Sequence, residues 1–455
     1  MDRPLPIGER TRPAEAGVLL TDLYELTMLQ AYFARRMNGT AAFELFMRKL
    51  PAQRNFLLAA GLDAVLDYLL DLRFTAEELD WMRASGRFTP EFVASLEGLR
   101  FTGDVDAMPE GTAFFADEPI LRITAPIREA QLVESRVMNL VHYATLTASK
   151  AARVALAAPG KLLVDFGMRR AHGAEAALLS ARSSYLAGFG GTATVEAGRR
   201  YGIPVFGTMA HSYIQAHEDE AEAFEHFALA QPENALFLID TYDTERAASK
   251  VVRLAPLLRA AGVRIRGVRI DSGDLGEHAR RVRAILDEGG LTEVTIFASG
   301  NLDEHRVRAL LAAGAPIDGF GVGTRMNTSS DAPYLDCAYK LQEYEGRPRR
   351  KRSEGKATWP GRKQVYRRYG ADGRCAGDLL ALAEGRRDGL PLLVPFVRGG
   401  ELIEPRISLD ESREHAQREL AHLPEALRSL EPAAPYPVEI DPELTKLAAE
   451  VDARS

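Results

Sequence analysis

An acid, a hydroxyl group and a glycine follow one predicted strand in the second half of the chain. The stretch Arg264 to Leu275, RIRGVRIDSGDL, begins as an alternating, β-branched strand and ends in Asp271, Ser272 and Gly273. In a parallel α/β fold, ligands bind where strands end and loops lead into helices. Such a turn can hold a sugar hydroxyl, a metal ion and a phosphate. Because Asp-Ser-Gly is also an ordinary turn sequence, its meaning depends on whether the pattern recurs.

The pattern recurs at five further strand ends. Polar or glycine residues are found there at Asp165 to Gly167, His211, Asp240 to Asp243, Ser299 to Asn301 and Gly321 to Thr324. The six strands are predicted, with helical sequence between them, at 161–167, 204–210, 235–243, 264–273, 294–301 and 317–324. Successive strand–helix units predict a parallel sheet, and right-handed crossovers close it toward a barrel.

The two strand-end aspartates and the glycine turns indicate a phosphorylated sugar bound with a metal ion. Asp240 and Asp271 end successive strands, so their carboxylates are expected on neighbouring strand tips. Mg²⁺ takes one or two carboxylates and completes its shell with substrate oxygens and water. The turns 299–301 and 321–324 offer backbone N–H groups that cradle a phosphate when they open a helix.

His211 is the candidate functional histidine among the nine in the chain. It directly follows a predicted buried strand, in PVFGTMAHSYI, whereas charged helical sequence contains His278, His305, His415 and His422. No second His or Cys stands at zinc-ligand spacing. A structural histidine is one interpretation. A nucleophile or phosphate acceptor is the other, because neutral imidazole is nucleophilic near pH 7. The dinucleotide-binding fingerprint and the Walker loop are both absent from the sequence.

Four segments are predicted to position these residues. Residues 1–17 are polar and rich in Pro and Arg, and we expect a loose arm. Residues 18–135 mix helical sequence (Thr21 to Arg36, Leu57 to Leu72) with strand-like pieces, which is typical of an α/β sandwich domain. A helical tract, Arg128 to Leu156, leads into a predicted barrel domain at 136–345. We expect the C-terminal segment, 346–455, to return to the N-terminal domain.

Composition excludes several classes of protein. The 455 residues contain 57 Lys and Arg against 64 Asp and Glu, and the resulting net charge of −7 predicts no general affinity for nucleic acid. For this reason the basic stretch Arg347 to Gly370 is interpreted as a loop or a phosphate-contacting segment. Only Cys337 and Cys375 are present, which fits a reducing compartment. With no apolar run of signal-peptide or membrane-spanning type, we expect a cytoplasmic protein that binds no membrane.

Seven motifs occur in an order that resembles one enzyme family. They are DLYELTM (22–28), DFGMRRAHG (165–173), GFGGTATVEAG (188–198), FGTMAHSYI (206–214), LIDTYDT (238–244), VRIDSGD (268–274) and GRKQVYR (361–367). From about residue 18 to beyond 370 the chain resembles nicotinate phosphoribosyltransferase. The resemblance implies an irregular α/β barrel of parallel strands beside an N-terminal α/β sandwich, in a homodimer with shared active sites. It implies that nicotinate is joined to 5-phosphoribosyl-1-pyrophosphate (PRPP) with Mg²⁺, as the first step of NAD salvage from nicotinate. It also implies coupling to ATP hydrolysis through a phosphorylated histidine.

The resemblance assigns roles to residues of this sequence. His211 corresponds to the phosphorylated histidine, and Asp240 and Asp271 to the ribose and metal carboxylates. Tyr24 and Phe166 correspond to the pair that sandwiches the pyridine ring, with Tyr24 supplied by the other subunit; the alternative for both is core packing. The remaining binding positions, near the ring or the phosphates, are Arg169, Thr192, Ala193, Arg269, Ser272, Gly273, Ser299, Gly300, Asn301, Gly321, Gly323 and Thr324. Contacts to pyrophosphate or ATP are expected from Lys150, Arg153 and the Lys356–Arg362 loop.

Three other functions remain open. The first is a nicotinamide-specific phosphoribosyltransferase, but the nicotinamide-using relatives carry an aspartate where this chain has Ala193. That aspartate accepts a hydrogen bond from a carboxamide and repels a carboxylate, so Ala193 favours nicotinate. The second is a barrel isomerase or aldolase acting on a sugar phosphate. The third is a non-catalytic nucleotide-binding module, against which the intact His211, Asp240 and Asp271 argue.

Overall fold

A computed structural model describes residues 17–454. The predicted arm therefore lies outside the described residues, except for Gly17. The chain forms two compact units. One comprises the described residues up to Ser149 together with those from Ala332 onward, and the other runs from Lys150 to Asp331.

The helices are short to medium in length, apart from one long helix, α6. In chain order they are α1 (Leu23–Ala34), α2 (Leu62–Leu70), α3 (Ala76–Ala84), α4 (Pro90–Ala94), α5 (Ile127–Leu132), α6 (Glu134–Ala157), α7 (Ala174–Leu186), α8 (Val195–Tyr201), α9 (His211–Gln215), α10 (Glu220–Ala230), α11 (Thr244–Ala260), α12 (Leu275–Glu288), α13 (Glu304–Ala312), α14 (Thr324–Asn327), α15 (Leu409–His422), α16 (Glu425–Arg428) and α17 (Pro442–Ala453). Even α6, with 24 residues, is not apolar enough to cross a membrane, and the same holds for every other helix in the described part of the chain.

The strands fall into two groups in the sequence, before and after the helix-rich middle. In chain order they are β1 (Thr40–Met47), β2 (Leu57–Leu58), β3 (Asp104–Ala107), β4 (Ala113–Phe114), β5 (Pro119–Pro126), β6 (Leu162–Asp165), β7 (Gly191–Thr192), β8 (Leu236–Leu238), β9 (Gly267–Ile270), β10 (Thr295–Ala298), β11 (Gly319–Val322), β12 (Cys337–Tyr344), β13 (Arg347–Pro348), β14 (Lys363–Tyr369), β15 (Cys375–Leu382), β16 (Leu390–Pro391), β17 (Val394–Arg398), β18 (Glu401–Leu402) and β19 (Val438–Ile440).

The first unit is built on a seven-stranded sheet in the order β13-β12-β1-β5-β3-β17-β18. The inner strand β1 pairs antiparallel with β5 and β12, and all but its first residue are buried. Strands from the beginning and the end of the chain thus share one sheet, so residues 346–454 lie in the same unit as residues 18–135. A second sheet of this unit has the order β16-β14-β15-β19.

A buried ion-pair cluster holds the second sheet of the first unit. Arg367, in the GRKQVYR motif, is fully buried and pairs with Asp378 and Glu419 at 2.7 Å each. Ionic groups removed from water need such partners, since an unpaired buried charge costs several kcal/mol. This part of the motif therefore serves the fold of the first unit.

The second unit is built on a six-stranded parallel sheet in the order β7-β6-β11-β10-β9-β8. Its strands are short apolar runs, which is typical of a parallel sheet covered by helices on its outer face. The helices α7, α11, α12 and α13 connect successive strands. The α/β class and the parallel sheet predicted from the sequence are confirmed.

The strands follow one another as around a barrel, but the backbone ladder is interrupted between β7 and β8. Segment 204–210, predicted as a strand, lies at this gap, so that prediction is wrong. It pairs with β7 only through a single bridge, Thr192 to Val205. On its other side, the side chain of Asn234 donates to the carbonyl of Gly207 at 2.7 Å. The sixth strand is instead β7, which the sequence analysis missed.

Two further boundaries differ from the prediction. The predicted helix from Leu57 to Leu72 begins with the two-residue strand β2, and α2 starts only at Leu62. The compact second unit spans Lys150 to Asp331, whereas the predicted barrel domain spans 136–345.

Candidate active site

The strands of the parallel sheet end at one edge, where most of the predicted site residues lie. Asp165 is the last residue of β6, Asp240 follows β8 by two residues, and Asp271 directly follows β9. Ser299 directly follows β10, and Gly323 directly follows β11. All strands point the same way, so these residues share the carboxyl edge, where ligands of parallel sheets bind.

Two aspartates and two serines form a hydrogen-bonded group at this edge. The backbone N–H of Asp271 and the hydroxyl of Ser272 both donate to Asp240 Oδ2, at 3.1 and 2.5 Å. The hydroxyl of Ser299 donates to Asp271 Oδ1 at 2.5 Å. The expectation that the two carboxylates lie on neighbouring strand tips is therefore met.

One carboxylate oxygen of this group is left without a partner. Asp240 Oδ1 is buried and accepts no hydrogen bond in the described part of the chain. A buried polar atom that forms no bond is costly, and native proteins usually satisfy it with water, an ion or a ligand. The described residues contain no group of three or more His, Cys, Asp or Glu able to hold a metal ion. The unsatisfied oxygen of Asp240 beside the Asp271 carboxylate is a donor set that suits Mg²⁺, which takes one or two carboxylates and completes its shell with water and substrate oxygens.

His211 lies beside the aspartate loop. It is the first residue of α9, and its Nδ1 lies 3.1 Å from the hydroxyl oxygen of Thr241, the residue after Asp240. The imidazole is partly buried, so one ring nitrogen is oriented by this contact. A histidine oriented by a hydrogen bond at one nitrogen is a suitable nucleophile at the other.

An aromatic ring and an arginine lie next to each other on the inner side of the sheet. The guanidinium carbon of Arg269 is 6.0 Å from the centre of the Phe166 ring. Arg269 donates to the hydroxyl of Thr208 at 3.2 Å and to the carbonyl of Met209 at 3.0 Å, while its buried Nε has no partner among the described residues. Burial lowers the pKa of this guanidinium, and the neighbouring Asp271 and Asp240 oppose that effect.

A cavity of about 290 Å³ opens beside this pair. Phe166, Arg269, Phe297 and Thr208 contribute to its lining. The lining also contains an exposed cation and an exposed carboxylate, Arg266 and Asp318, at the amino ends of the strands. At the Phe166–Arg269 end, an aromatic wall beside a cation is suited to a planar anionic ring. Gly321 was assigned to a phosphate turn, but it lies inside β11, where a Cβ atom would come within 2.5 Å of the Phe166 ring. Its missing side chain makes room for that ring.

Asp165 connects two loops of the site and was not among the predicted binding residues. Its carboxylate is fully buried and accepts from the N–H of Gly167 at 2.8 Å and from the hydroxyl of Thr192 at 2.9 Å. Its carbonyl accepts from the N–H of Ala193 at 2.8 Å. Burial raises the pKa of Asp165 to about 6, and the two hydrogen bonds act in the opposite direction. The Phe166 loop and the Thr192–Ala193 segment are thus held by one side chain.

The turn after β10 has two successive residues with positive φ. Gly300 and Asn301 both have left-handed backbone conformations, with φ of 96° and 50°. A Cβ atom at Gly300 would lie 2.0 Å from the carbonyl oxygen of Asp271, so only glycine fits there. Successive backbone N–H groups in such conformations form concave anion sites. After β11, Gly323 leads directly into the four-residue helix α14, which begins at Thr324.

Other predicted residues lie in an exposed turn of the second unit or in the first unit. Arg169 is exposed in the 3-10 turn Met168–Arg170. Tyr24 lies on α1 of the other unit with 44% of its surface exposed, and burial of the remainder raises the pKa of its phenol. In the predicted 356–362 loop, also in that unit, Arg362 pairs with Glu343 and Glu384.

Lys150 and Arg153 are not available to a phosphate in this structure. Both are almost fully buried in the second unit. Lys150 pairs with Glu304 and Asp331 at 2.7 Å, and Arg153 pairs with Glu304 at 3.0 Å. The expected contact of these two cations with pyrophosphate or ATP is therefore not supported, because their charges are already neutralised within the fold.

Comparison with known proteins gives matches along most of the chain. Family models match in three consecutive segments: the nicotinate phosphoribosyltransferase N-terminal domain at 19–142, the nicotinate phosphoribosyltransferase family at 162–346, and its C-terminal domain at 386–448. The chain is 52% identical to nicotinate phosphoribosyltransferase pncB2 of Mycobacterium tuberculosis over 428 residues, or 93% of this chain and 91% of that protein. It is 40% identical to nicotinate phosphoribosyltransferase of Bacillus subtilis over 375 residues, or 80% and 76% of the two chains.

The fold has a solved counterpart. The crystal structure of human nicotinic acid phosphoribosyltransferase matches with a TM-score of 0.86 at 30% sequence identity. The match covers 95% of this chain and the whole of the human chain.

Proposed function

Since the chain belongs to the nicotinate phosphoribosyltransferase family and is an enzyme of that type, we propose that it forms nicotinate mononucleotide and pyrophosphate from nicotinate and PRPP. This reaction is the first step of NAD salvage from nicotinate. The observation that carries the proposal is the hydrogen-bonded pair of Asp240 and Asp271, with its unpartnered buried oxygen. Both carboxylates share the carboxyl edge of the sheet with the Phe166–Arg269 pair.

In this reaction the protein contributes mainly by positioning the two substrates, and no covalent intermediate with the protein is needed for the transfer itself. The bond between the ribose anomeric carbon and pyrophosphate breaks, pyrophosphate leaves with the electron pair, and the pyridine nitrogen bonds to that carbon. Phe166 and Arg269 hold the ring, and the Ser299–Asn301 turn offers N–H groups to the 5′-phosphate. Holding two reactants in the right geometry removes much of the entropic barrier.

The aspartate pair would hold Mg²⁺ together with oxygens of PRPP. When bound there, the ion neutralises negative charge on the departing pyrophosphate. Asp240 offers its free Oδ1, and Asp271 is oriented by the Ser299 hydroxyl.

ATP is proposed as a co-substrate through His211. The γ-phosphoryl group passes to an imidazole nitrogen and ADP leaves, and water later hydrolyses the phosphohistidine. The support is the position of His211 at the strand-end edge and its contact with Thr241, one residue from Asp240. A charge placed on His211 therefore acts beside the donor site, and a coupling of this kind is reciprocal at the level of binding.

The ring pocket favours an acid over an amide. Arg269 supplies a buried cation with a free Nε, and Ala193 brings no carboxylate to the pocket segment. A nicotinate carboxylate gains from the cation, whereas the neutral carboxamide of nicotinamide gains less. Nicotinamide phosphoribosyl transfer remains the alternative within this chemistry.

A homodimer with shared sites is part of the proposal. Tyr24 is exposed on α1 and corresponds to the ring-stacking residue that the family supplies from the second subunit. An exposed, pre-positioned tyrosine is suited to completing a site across an interface, since aromatic residues are enriched there.

The aspartate pair provides the test of this proposal. In Asp240→Asn and Asp271→Asn we expect turnover to fall by at least about a hundredfold, because the loss of charge in a dry metal–phosphate site costs several kcal/mol. Calorimetry should show weaker PRPP binding in the presence of Mg²⁺. The control is Asp287→Asn, which alters an exposed aspartate of α12. Unchanged Mg²⁺-dependent PRPP affinity in both site variants would contradict the proposed role.

A further inference from the structure

Behind the aspartate loops, a carboxylate and a histidine form a hydrogen bond between two helices. Glu245 is in the first turn of α11, which follows the Asp240 loop, and His278 is in the first turn of α12, which follows the Asp271 loop. Nδ1 of His278 lies 2.9 Å from Oε1 of Glu245, and about three quarters of each side chain is buried. The contact therefore joins the starts of the two helices behind the candidate metal site.

The ring of His278 also packs on the turn that carries Ser272. Gly273 has φ of 75°, and a Cβ atom built on it would lie 2.6 Å from Nε2 of His278. The imidazole edge occupies the space that any larger residue at Gly273 would need. His278 thus makes two contacts: Glu245 holds its ring, and the ring packs against Gly273 in the turn.

The same turn is held at its inner end by the hydrogen bonds of Asp271 N–H and Ser272 to Asp240. At the outer end of the turn, Gly273 lies against the ring of His278, and Glu245 at the start of α11 holds that ring. Fixing both ends determines where the Ser272 hydroxyl and the Gly273 N–H point.

We propose that His278, held by Glu245, is a positioning residue for PRPP binding: it fixes the Ser272–Gly273 turn against the Asp240 loop. The proposal rests on the proposed function and adds to it a residue that does not itself touch the substrate. PRPP binds a preformed turn in the wild type, whereas without the clamp the turn must be ordered at the moment of binding, which lowers affinity.

The simplest alternative is an ordinary surface ion pair. Arg281 and Glu277 lie on the same face of α12 and pair with each other at 2.8 Å, and Arg281 comes within 4.0 Å of Glu245. These groups are about half exposed, and pairs of that kind contribute little. The Glu245–His278 contact differs because both partners are mostly buried and because the ring fills the space at Gly273.

Steady-state kinetics of His278→Ala, Glu245→Ala and the double variant test the clamp. Each single variant should raise the KM for PRPP about two- to tenfold, the range expected for one hydrogen bond of this type. The KM for nicotinate should change less than twofold. Because Glu245 acts on the turn only through His278, the double variant should bind PRPP no more weakly than His278→Ala does. Glu245→Gln, which keeps an acceptor, should restore most of the PRPP affinity.

The matched control is His305→Ala, an exposed histidine at the same kind of position in α13. Its KM for PRPP should equal that of the wild type. An unchanged KM in both single variants, or additive losses in the double variant, would overturn the clamp. If His278→Ala does not fold, the comparison of Glu245→Ala with Glu245→Gln decides the question in the same way. A wild type that forms no nicotinate mononucleotide would instead refute the proposed function.

Discussion

The buried carboxyl group of Asp165 makes a prediction about pH and stability. Burial raises its pKa from 3.8 to about 6, although two hydrogen bonds favour the charged form. A group whose folded-state pKa is raised stabilises the fold fully below its unfolded pKa, and this contribution is lost as the pH rises through the folded pKa. The stability that protonated Asp165 contributes is therefore lost between about pH 4 and about pH 6, and above this range the folded protein contains a buried negative charge.

The size of the effect follows from this pKa change. A rise from 3.8 to about 6, at about 1.4 kcal/mol per pH unit, corresponds to about 3 kcal/mol. Asp165→Asn removes the charge and keeps an acceptor for the Gly167 N–H, while the Thr192 hydroxyl can turn to accept from the new amide. The stability of the variant relative to the wild type should therefore increase by about 3 kcal/mol between pH 4 and pH 7.

Urea unfolding at a series of pH values measures this difference, with reversibility checked at each pH. Because the chain has two compact units, the transition of Lys150–Asp331 should be followed with a local probe. The control is the exposed Asp287→Asn, whose relative stability should vary little with pH. A stability difference between Asp165→Asn and the wild type that stays flat from pH 4 to pH 7, or falls, would refute the reasoning.

Three further predictions concern other parts of the second unit. His211→Ala should abolish ATP hydrolysis while slow, ATP-independent synthesis survives, and a variant that still hydrolyses ATP in step with product would exclude the phosphohistidine. Thr241→Val should slow ATP hydrolysis about two- to tenfold, because the contact to Nδ1 of His211 is lost. Lys150→Met should lower the free energy of unfolding by about 3–5 kcal/mol, because it leaves Glu304 and Asp331 without one buried partner; a stable variant with weak pyrophosphate binding would instead point to a substrate contact. Ala193→Asp should lower kcat/KM for nicotinate and leave kcat/KM for nicotinamide the same or higher. An unchanged kcat/KM for nicotinate would show that Ala193 does not determine the substrate preference.

The strand ends that contain site residues were predictable because a short stretch of sequence indicates both the strand and the polar residues after it. A buried apolar run followed by Asp271, Ser272 and Gly273 predicts both the strand and the site at its end, and β9 ends at Ile270. The same reasoning predicted Asp240 on the strand tip beside Asp271, because parallel strands bring their carboxyl ends together. The contact of Ser299 with Asp271 was not predicted and comes from the structure.

The misassigned strand shows where local signals fail. PVFGTMA has the apolar composition of a buried strand, yet it pairs with β7 only around Thr192, and the side chains of Asn234 and Arg269 bond to its remaining part. The true strand β7 is only two residues long, Gly191–Thr192, and contains no large apolar residue. Its pairing depends on neighbours far away in sequence, and the local pattern of apolar residues contains no information about them.

The missed site residues depend on long-range contacts. Asp165 was visible as a polar strand end, but its link to Thr192 spans 27 positions. His278 has the surroundings of a surface helix in sequence, and only the structure brings its ring to Gly273. The ion pairs of Lys150 and Arg153 could not be predicted from the sequence for the same reason, since their partner Glu304 lies about 150 positions away.

The central claim is the transfer of a phosphoribosyl group to nicotinate, and product analysis tests it most directly. The purified protein is incubated with PRPP, Mg²⁺ and ATP, and either nicotinate or nicotinamide is added. We expect nicotinate mononucleotide and pyrophosphate in equal amounts from nicotinate, with ADP formed alongside and little product from nicotinamide. Preferential formation of nicotinamide mononucleotide would contradict the choice of substrate. Binding of PRPP without any pyrophosphate release would contradict the enzymatic account as a whole.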